Sequence, residues 1–386
     1  MKSKTLLVLL PVLSIALTSC GQVMKWENHL DEYVYEMDYH AKFNILQLTD
    51  IHWNYNTSSK SSKTYLKKVL EEADRHIKAE QGNDAHIDLV ELTGDQFMLA
   101  NSYHVKTFLS FFEEEAALLN FKYTAIWGNH DRHGVYNPNW LADQFKNAKH
   151  CIYIEPNDNL YGRSNFVINL KDGGNVKWQI ANLDSGASFS ETAVSPFRDY
   201  DYIRKDQTAW WVAEHALAGE EVPTIAYYHI PQDENLKAWD LAHEEGSTVK
   251  HKFFKLEGFA DNGTEEYASD FVDEGAKHNL KAVFSGHAHN VDWTVEYKDP
   301  TWTAEQKPVV LGLGVKTGTE LYFAHIEKDS ADEAMKEGLA SVGISENFDL
   351  VGASLVTLND TLGGFDIEHL YLNERTANDF VSWVKW

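Results

Sequence analysis

Five short apolar runs in this 386-residue chain are each followed at once by residues that bind metal ions well. Asp50 and His52 follow the first, and Gly94 and Asp95 the second. The third leads into Gly128, Asn129, His130 and Asp131. The fourth ends at His229, before Ile230 and Pro231, and the fifth leads into Gly286, His287, Ala288 and His289. Carboxylates, imidazoles and one carboxamide suit zinc, manganese or iron. Calcium wants more oxygens, a soft copper site wants sulfur, and neither of the two cysteines lies in the set. Taken singly, a D-x-H triplet or a G-D pair is weak evidence, because such groupings arise by chance and a lone histidine is usually structural. Taken in order, each directly after an apolar run, they point to one site.

Such convergence needs strands that end on the same side. Residues 43–48, 87–92, 123–127, 224–228 and 281–284 read as strands, and open α/β sheets gather ligands at the carboxyl ends of their strands. Leu66, Val69, Leu70, Ala73 and Ile77 recur at helical spacing within 64–80, and 205–218 and 265–278 read as further helices. After residue 290 the pattern turns to strands, at 291–297, 308–315, 320–327 and 350–358. Alternating strands and helices followed by a strand-rich tail predict an α/β fold with two packed sheets.

The motifs D-x-H, G-D, G-N-H-D, a later histidine and G-H-x-H, spread from Asp50 to His289, resemble those of the calcineurin-like metallophosphoesterases. The resemblance implies a four-layer αββα sandwich of two mixed β-sheets. It also implies a pair of metal ions (Fe, Mn or Zn), one held by Asp50, His52, Asp95 and His289 and the other by Asp95, Asn129, His229 and His287, with Asp95 shared. His130 is then expected to protonate the leaving oxygen or stabilise charge there, with Asp131 orienting its ring. The implied reaction is hydrolysis of a phosphate monoester or diester by a metal-bridging hydroxide. The context of the motifs is most similar to the phosphatases related to purple acid phosphatases. A sphingomyelinase-like or nucleotide phosphodiesterase activity is the alternative, and a non-catalytic lipoprotein binding metal or a phosphorylated ligand is a further one. One departure separates the chain from the purple enzymes: Met98 stands where they carry a metal-bound tyrosine, and the next tyrosine is Tyr103.

Arg132 is a candidate clamp for a phosphate oxygen. Trp53, Tyr55, Gln96, His133, Gln232 and Asn290 flank the motifs as candidate pocket residues. Histidines 76, 104, 150, 215, 243, 251 and 278 lack ligand spacing in the sequence and read as surface residues. Asp184 and Ser185 read as a turn.

The ends of the chain carry a different message. Residues 5–18 are almost wholly apolar, follow Lys2 and Lys4, and are too short to span a bilayer as a helix, which reads as a signal peptide. Leu17, Thr18, Ser19 and Cys20 resemble a bacterial lipobox. The expected plan is a leader over 1–19, a tether over 20–40 beginning at an acylated Cys20, a catalytic domain over 41–372, and an extension over 373–386. The expected location is outside the cytoplasm, held at the membrane by its lipid. With a formal charge of −25, the chain repels nucleic-acid backbones and anionic headgroups. A small phosphorylated substrate is therefore the expected partner; no nucleic acid is expected and no protein partner is inferred.

Overall fold

A computed structural model describes residues 26, 29–53, 59–133, 138–155, 160–187, 200–255, 269–319, 325–326, 348–359, 361, 363–372 and 380–385. In chain order its elements begin with β1 (Val34–Asp38), β2 (Phe43–Leu48), α1 (Ser59–Gln81), β3 (Leu89–Thr93), α2 (Ser102–Leu119), β4 (Lys122–Ile126), α3 (Pro138–Lys146) and β5 (Cys151–Ile152). There follow β6 (Phe166–Asp172), β7 (Asn175–Asn182), α4 (Lys205–Ala218), β8 (Thr224–Tyr227), α5 (Asp233–His243), β9 (His251–Lys255), α6 (Phe271–Gly275) and β10 (Leu280–Ser285). The last group is β11 (Val291–Tyr297), β12 (Val309–Leu313), β13 (His325–Ile326), β14 (Phe348–Leu358), β15 (Phe365–Leu372) and β16 (Phe380–Lys385).

The strands form two sheets. The first runs β1-β6-β7-β8-β10-β12-β11-β9, and the second runs β16-β15-β14-β2-β3-β4-β5, with β13 paired to β14. Both are mixed: β7, β8, β10 and β12 are parallel neighbours in the first, as are β2, β3, β4 and β5 in the second, and antiparallel strands extend each. Helices α1, α2 and α3 pack on the second sheet, and α4 and α5 on the first. The layers are therefore helix, sheet, sheet, helix, the four-layer αββα sandwich expected.

The central strands have cover on both faces, one sheet on one side and helices on the other. That is why β2, β3 and β8 are buried along their whole length and carry apolar residues on both faces rather than at alternate positions only, with a few buried polar residues such as Asn44, Gln47 and Glu91 among them. Helix α2 starts at Asn101, whose side chain accepts the amide of His104, and ends at Asn120 in the left-handed conformation.

Strands β2 and β11 and helix α4 match their expected bounds, and the other motif-bearing strands differ by one or two residues. The domain limits are too narrow at both ends. Residues 34–38, assigned to the tether, pair in parallel with β6, and residues 380–385, assigned to the extension, pair with β15. Tyr33 and Trp26 are buried as well, so the fold begins before residue 41. Of the helix expected over 265–278, the described residues 269–278 hold the short α6; its residues 265–268, and residues 320–324 of the strand expected over 320–327, lie outside the described residues.

Candidate metal centre

The carboxyl ends of β2, β3, β4, β8 and β10 come together, and the loops that leave them are bonded to one another. The amides of Asp50 and His52 donate to the carbonyls of Gly94 and Asp95, at 3.1 and 3.0 Å. The amide of Gly286 donates to the His229 carbonyl at 2.9 Å. A parallel bridge between Thr49 and Lys316, and the His287 amide donating to Asp50 Oδ2 at 2.9 Å, join the loops of one sheet to those of the other.

All seven expected ligands meet there. Asp50, His52, Asp95 and His289 each offer a ligand atom, and those atoms lie within 4.8 Å of one another; Asp95, His229 and His287 form a second such group. Asn129 Oδ1 lies 3.2 Å from His229 Nε2 and 3.1 Å from His287 Nδ1, which places it with the second group. Asp95 belongs to both. Its Oδ2 is 3.4 Å from His229 Nε2 and 3.9 Å from His52 Nε2 and His130 Nε2, is buried, and has hydrogen-bond geometry to none of them. A buried carboxylate oxygen without a hydrogen bond calls for an explanation, and a cation shared by these groups supplies one.

Other details fit a metal in the same way. His52 Nε2 and His289 Nε2 face each other at 3.1 Å, and His289 Nε2 is 3.1 Å from Asp50 Oδ1. His229 Nδ1 donates to the Thr93 carbonyl at 2.9 Å, which fixes the ring with Nε2 toward Asp95. The backbone is held in an unusual state as well. Asp50, His52, Asp95 and His287 all have positive φ, between 49° and 71°, a conformation that non-glycine residues adopt at a cost. The glycines beside them have little choice of side chain. Gly94 has φ +90° and a Cβ there would overlap His229, while a Cβ on Gly128 would overlap Asp95 Oδ1.

The electrostatics favour ionised carboxylates at Asp50 and Asp95 and neutral rings at His52 and His287. Burial pushes the Asp50 carboxyl up, but His289, His229 and Lys316 together outweigh it and hold the group well below the usual range. Asp95 is likewise lowered, burial being outweighed by His229, His130 and His52. Burial drives His52 well down and takes His287 down to about 3, so both keep a free lone pair. His229 is the exception: burial lowers it, Asp95 more than compensates, and it is raised to about 9. A cation bound beside Asp95 would displace that proton.

His130 sits at the rim. Its side chain is 26% exposed, against 0–1% for His52, His229 and Asp95. Its amide donates to Asp95 Oδ1 at 2.8 Å, and its ring lies edge-on to His52 and to His133. Burial lowers its pKa, favouring the neutral imidazole.

Several expectations need correction. Asp131 does not orient the His130 ring: its two oxygens accept the amides of Phe97 and Gly128, both at 2.9 Å, and it braces the loop. Arg132 is no open clamp, because Nη2 binds the buried Asp184 Oδ1. Asp184, read as a turn residue, is therefore half of a buried ion pair. Trp53 and Gln96 are core residues bonded to Thr107 and to the Leu92 and Ile126 carbonyls. Gln232 is buried too, and its Oε1 accepts the Ile203 amide. His215 is fully buried rather than superficial, and His76 is largely so. Tyr103 is an exposed residue of α2, and Cys20 and Tyr55 lie outside the described residues.

Two neighbours of the site went unnoticed in the sequence. Lys316 is buried and donates to the Asp50 carbonyl at 2.7 Å. It follows β12, a strand of the same type as those that carry the motifs, and that position was the available signal. Tyr200 stands edge-on to His287 at 4.2 Å between ring centres, with no motif to mark it.

A profile of the family described as calcineurin-like phosphoesterase matches residues 43–291, the span that holds every one of the seven residues. No curated protein matches the chain. Among solved structures, the NAD nucleotidase of Haemophilus influenzae is 12% identical, with a TM-score of 0.34, over 89% of this chain and 53% of that one. The sulfate thiohydrolase of Thermus thermophilus is 10% identical, with a TM-score of 0.33, over 72% and 58%. The chain thus spans little more than half the length of either structure.

Proposed function

From the premise that this chain belongs to the calcineurin-like phosphoesterase family, we propose that it is a two-metal phosphohydrolase acting on small phosphate esters, monoesters first. The observation that carries the reading is Asp95 Oδ2, a buried acceptor common to two groups of ligand residues. Asp50, His52, Asp95 and His289 would hold one divalent ion, and Asp95, Asn129, His229 and His287 the other. Such a pair activates water at neutral pH and stabilises charge on phosphoryl oxygens.

The residues around it have separate tasks. Asn129 adds a ligand without adding negative charge, so that with only Asp50 and Asp95 as acids the loaded centre stays net positive toward an anionic ester. His130, at the rim and neutral, donates its ring N–H to the oxygen that leaves or to one that gains charge. Asp131 and Gln96 hold the loop in place from below. The position of His130 supports turnover over passive binding, since a module that only holds a ligand has no use for a donor at the leaving group.

We further propose export and attachment through an acylated Cys20, which would place the reaction outside the cytoplasm. Purified protein should be assayed against aryl phosphate monoesters and diesters, with metal content measured on the same sample. Turnover that rises with metal occupancy supports the proposal. Full occupancy with no turnover of either ester class would reduce the chain to a binding protein.

A further inference from the structure

We propose that His215, Glu220 and His278 form a second metal site, separate from the catalytic centre, for a zinc-like divalent ion. The three residues lie at the amino ends of β8 and β10, whereas the candidate centre lies at their carboxyl ends; a six-residue strand such as β10 is roughly 20 Å long.

The local chain path brings them together. His215 is in the last turn of α4, which closes with the Gly219 amide on the His215 carbonyl at 2.9 Å. The chain then turns, Val222 N donating to Gly219 O at 2.9 Å, and Glu220 rides on that turn. His278 comes from the loop between α6 and β10. Asn279 laces the two loops: its Nδ2 donates to Glu221 O at 2.7 Å and its carbonyl accepts Thr224 N at 3.2 Å. One ligand atom from each of His215, Glu220 and His278 lies within 4.8 Å of the others, and His278 Nδ1 is 3.4 Å from Glu220 Oε2.

The independent sign of a ligand is in His215. Its side chain is fully buried and its Nε2 lies 2.8 Å from the Val222 carbonyl, which can only accept, so Nε2 carries the proton. The lone pair is then on Nδ1, which is buried and has no hydrogen-bond partner. A backbone carbonyl on one ring nitrogen and a lone pair left on the other is the arrangement seen in histidines that ligate metal. Trp211 packs against His215 and lies edge-on to His278, which gives the pair an apolar flank.

Two imidazoles and a carboxylate make a zinc-type donor set, with a fourth position for water on the exposed side, where Glu220 is 64% and His278 26% accessible. Calcium would need more oxygens than the three residues offer. The bound ion would clasp α4 to the start of β10 and add stability in proportion to its occupancy.

The test uses the full-length protein, loaded with zinc, desalted, and analysed for zinc per chain beside His278→Ala and Glu220→Gln. Wild type should retain one zinc more than His278→Ala, with equal phosphoesterase activity in both. Adding zinc beyond catalytic saturation should raise the melting temperature of wild type by a few degrees and leave that of His278→Ala unmoved, with Glu220→Gln between them. Equal zinc content and equal zinc-dependent melting in wild type and His278→Ala would overturn the proposal, even if the catalytic centre behaved as expected.

Discussion

Replacing Arg132 with methionine separates two accounts of this arginine, a phosphate clamp and a structural ion pair. Its guanidinium is bound to Asp184, whose side chain is 0% exposed while that of Arg132 is 17% exposed. Asp184 also accepts the amides of Arg163 and Gly186, at 2.6 and 2.9 Å. Removing the arginine strands a carboxylate where water does not reach, a change that typically costs about 3–5 kcal/mol. The two amides still solvate it, which points to the lower end, ~3 kcal/mol. At ~2 °C per kcal/mol for a chain of this size, the melting temperature should fall by about 6 °C. Asp184→Asn, which strands the arginine instead, should cost a similar amount. The double variant should be less destabilised than the sum of the two, by roughly 2 kcal/mol, because the interaction is lost only once. Thermal melts of the four proteins, with KM measured on the same preparations, give the answer. A methionine variant that melts within a degree of wild type but shows a severalfold higher KM would refute the ion-pair account and restore the clamp.

His130→Ala should keep full metal content and lose about 10²- to 10⁴-fold in kcat, most on esters with poor leaving groups; metal analysis and a leaving-group series check it. Gly128→Ala would drive a methyl group into Asp95 Oδ1. Displacing the shared carboxylate should lower metal retention and cut the rate by about 10²-fold with the circular dichroism unchanged. The pair of His40 Nε2 and Asp88 Oδ1, 2.7 Å apart, raises His40 from 6.5 to about 9 despite opposing desolvation. The folded pKa lies above the unfolded one, so this contribution to stability is complete below pH 6.5 and is lost as pH rises through about 9. His40 is half-exposed, so the effect is small, and His40→Gln should flatten the fall in melting temperature between those two pH values.

The loops that carry the candidate ligands were legible because the chemistry restricts residue types. Few side chains can bind a divalent ion, and a strand that ends at such a residue leaves a local trace, as at Leu48 to Asp50 or Ser285 to His287. Buried central strands were legible for a related reason, since cover on both faces puts apolar residues on both. The pairings that depend on how distant segments meet were not. Arg132 and Asp184 are 52 residues apart, on loops from different sheets, and nothing near either announces the other. The strand at Val34–Asp38 is partly exposed along its length, so it lacks the apolar signature that marked β2. The His215 cluster spans α4 and the start of β10, and only the turn at Gly219 and the left-handed Asn279 bring its members into range. His130 lies beside His52 and Asp95, but the role expected of Asp131 failed because two backbone amides claim its oxygens.

The central claim is that one carboxylate, Asp95, serves two metal ions. Anomalous diffraction from crystals of zinc- or manganese-loaded protein tests it most directly. The account predicts two peaks on either side of Asp95 Oδ2, one among Asp50, His52 and His289 and the other among Asn129, His229 and His287, with both weakened in Asp95→Asn. A single peak, or two peaks neither of which touches Asp95, would contradict it.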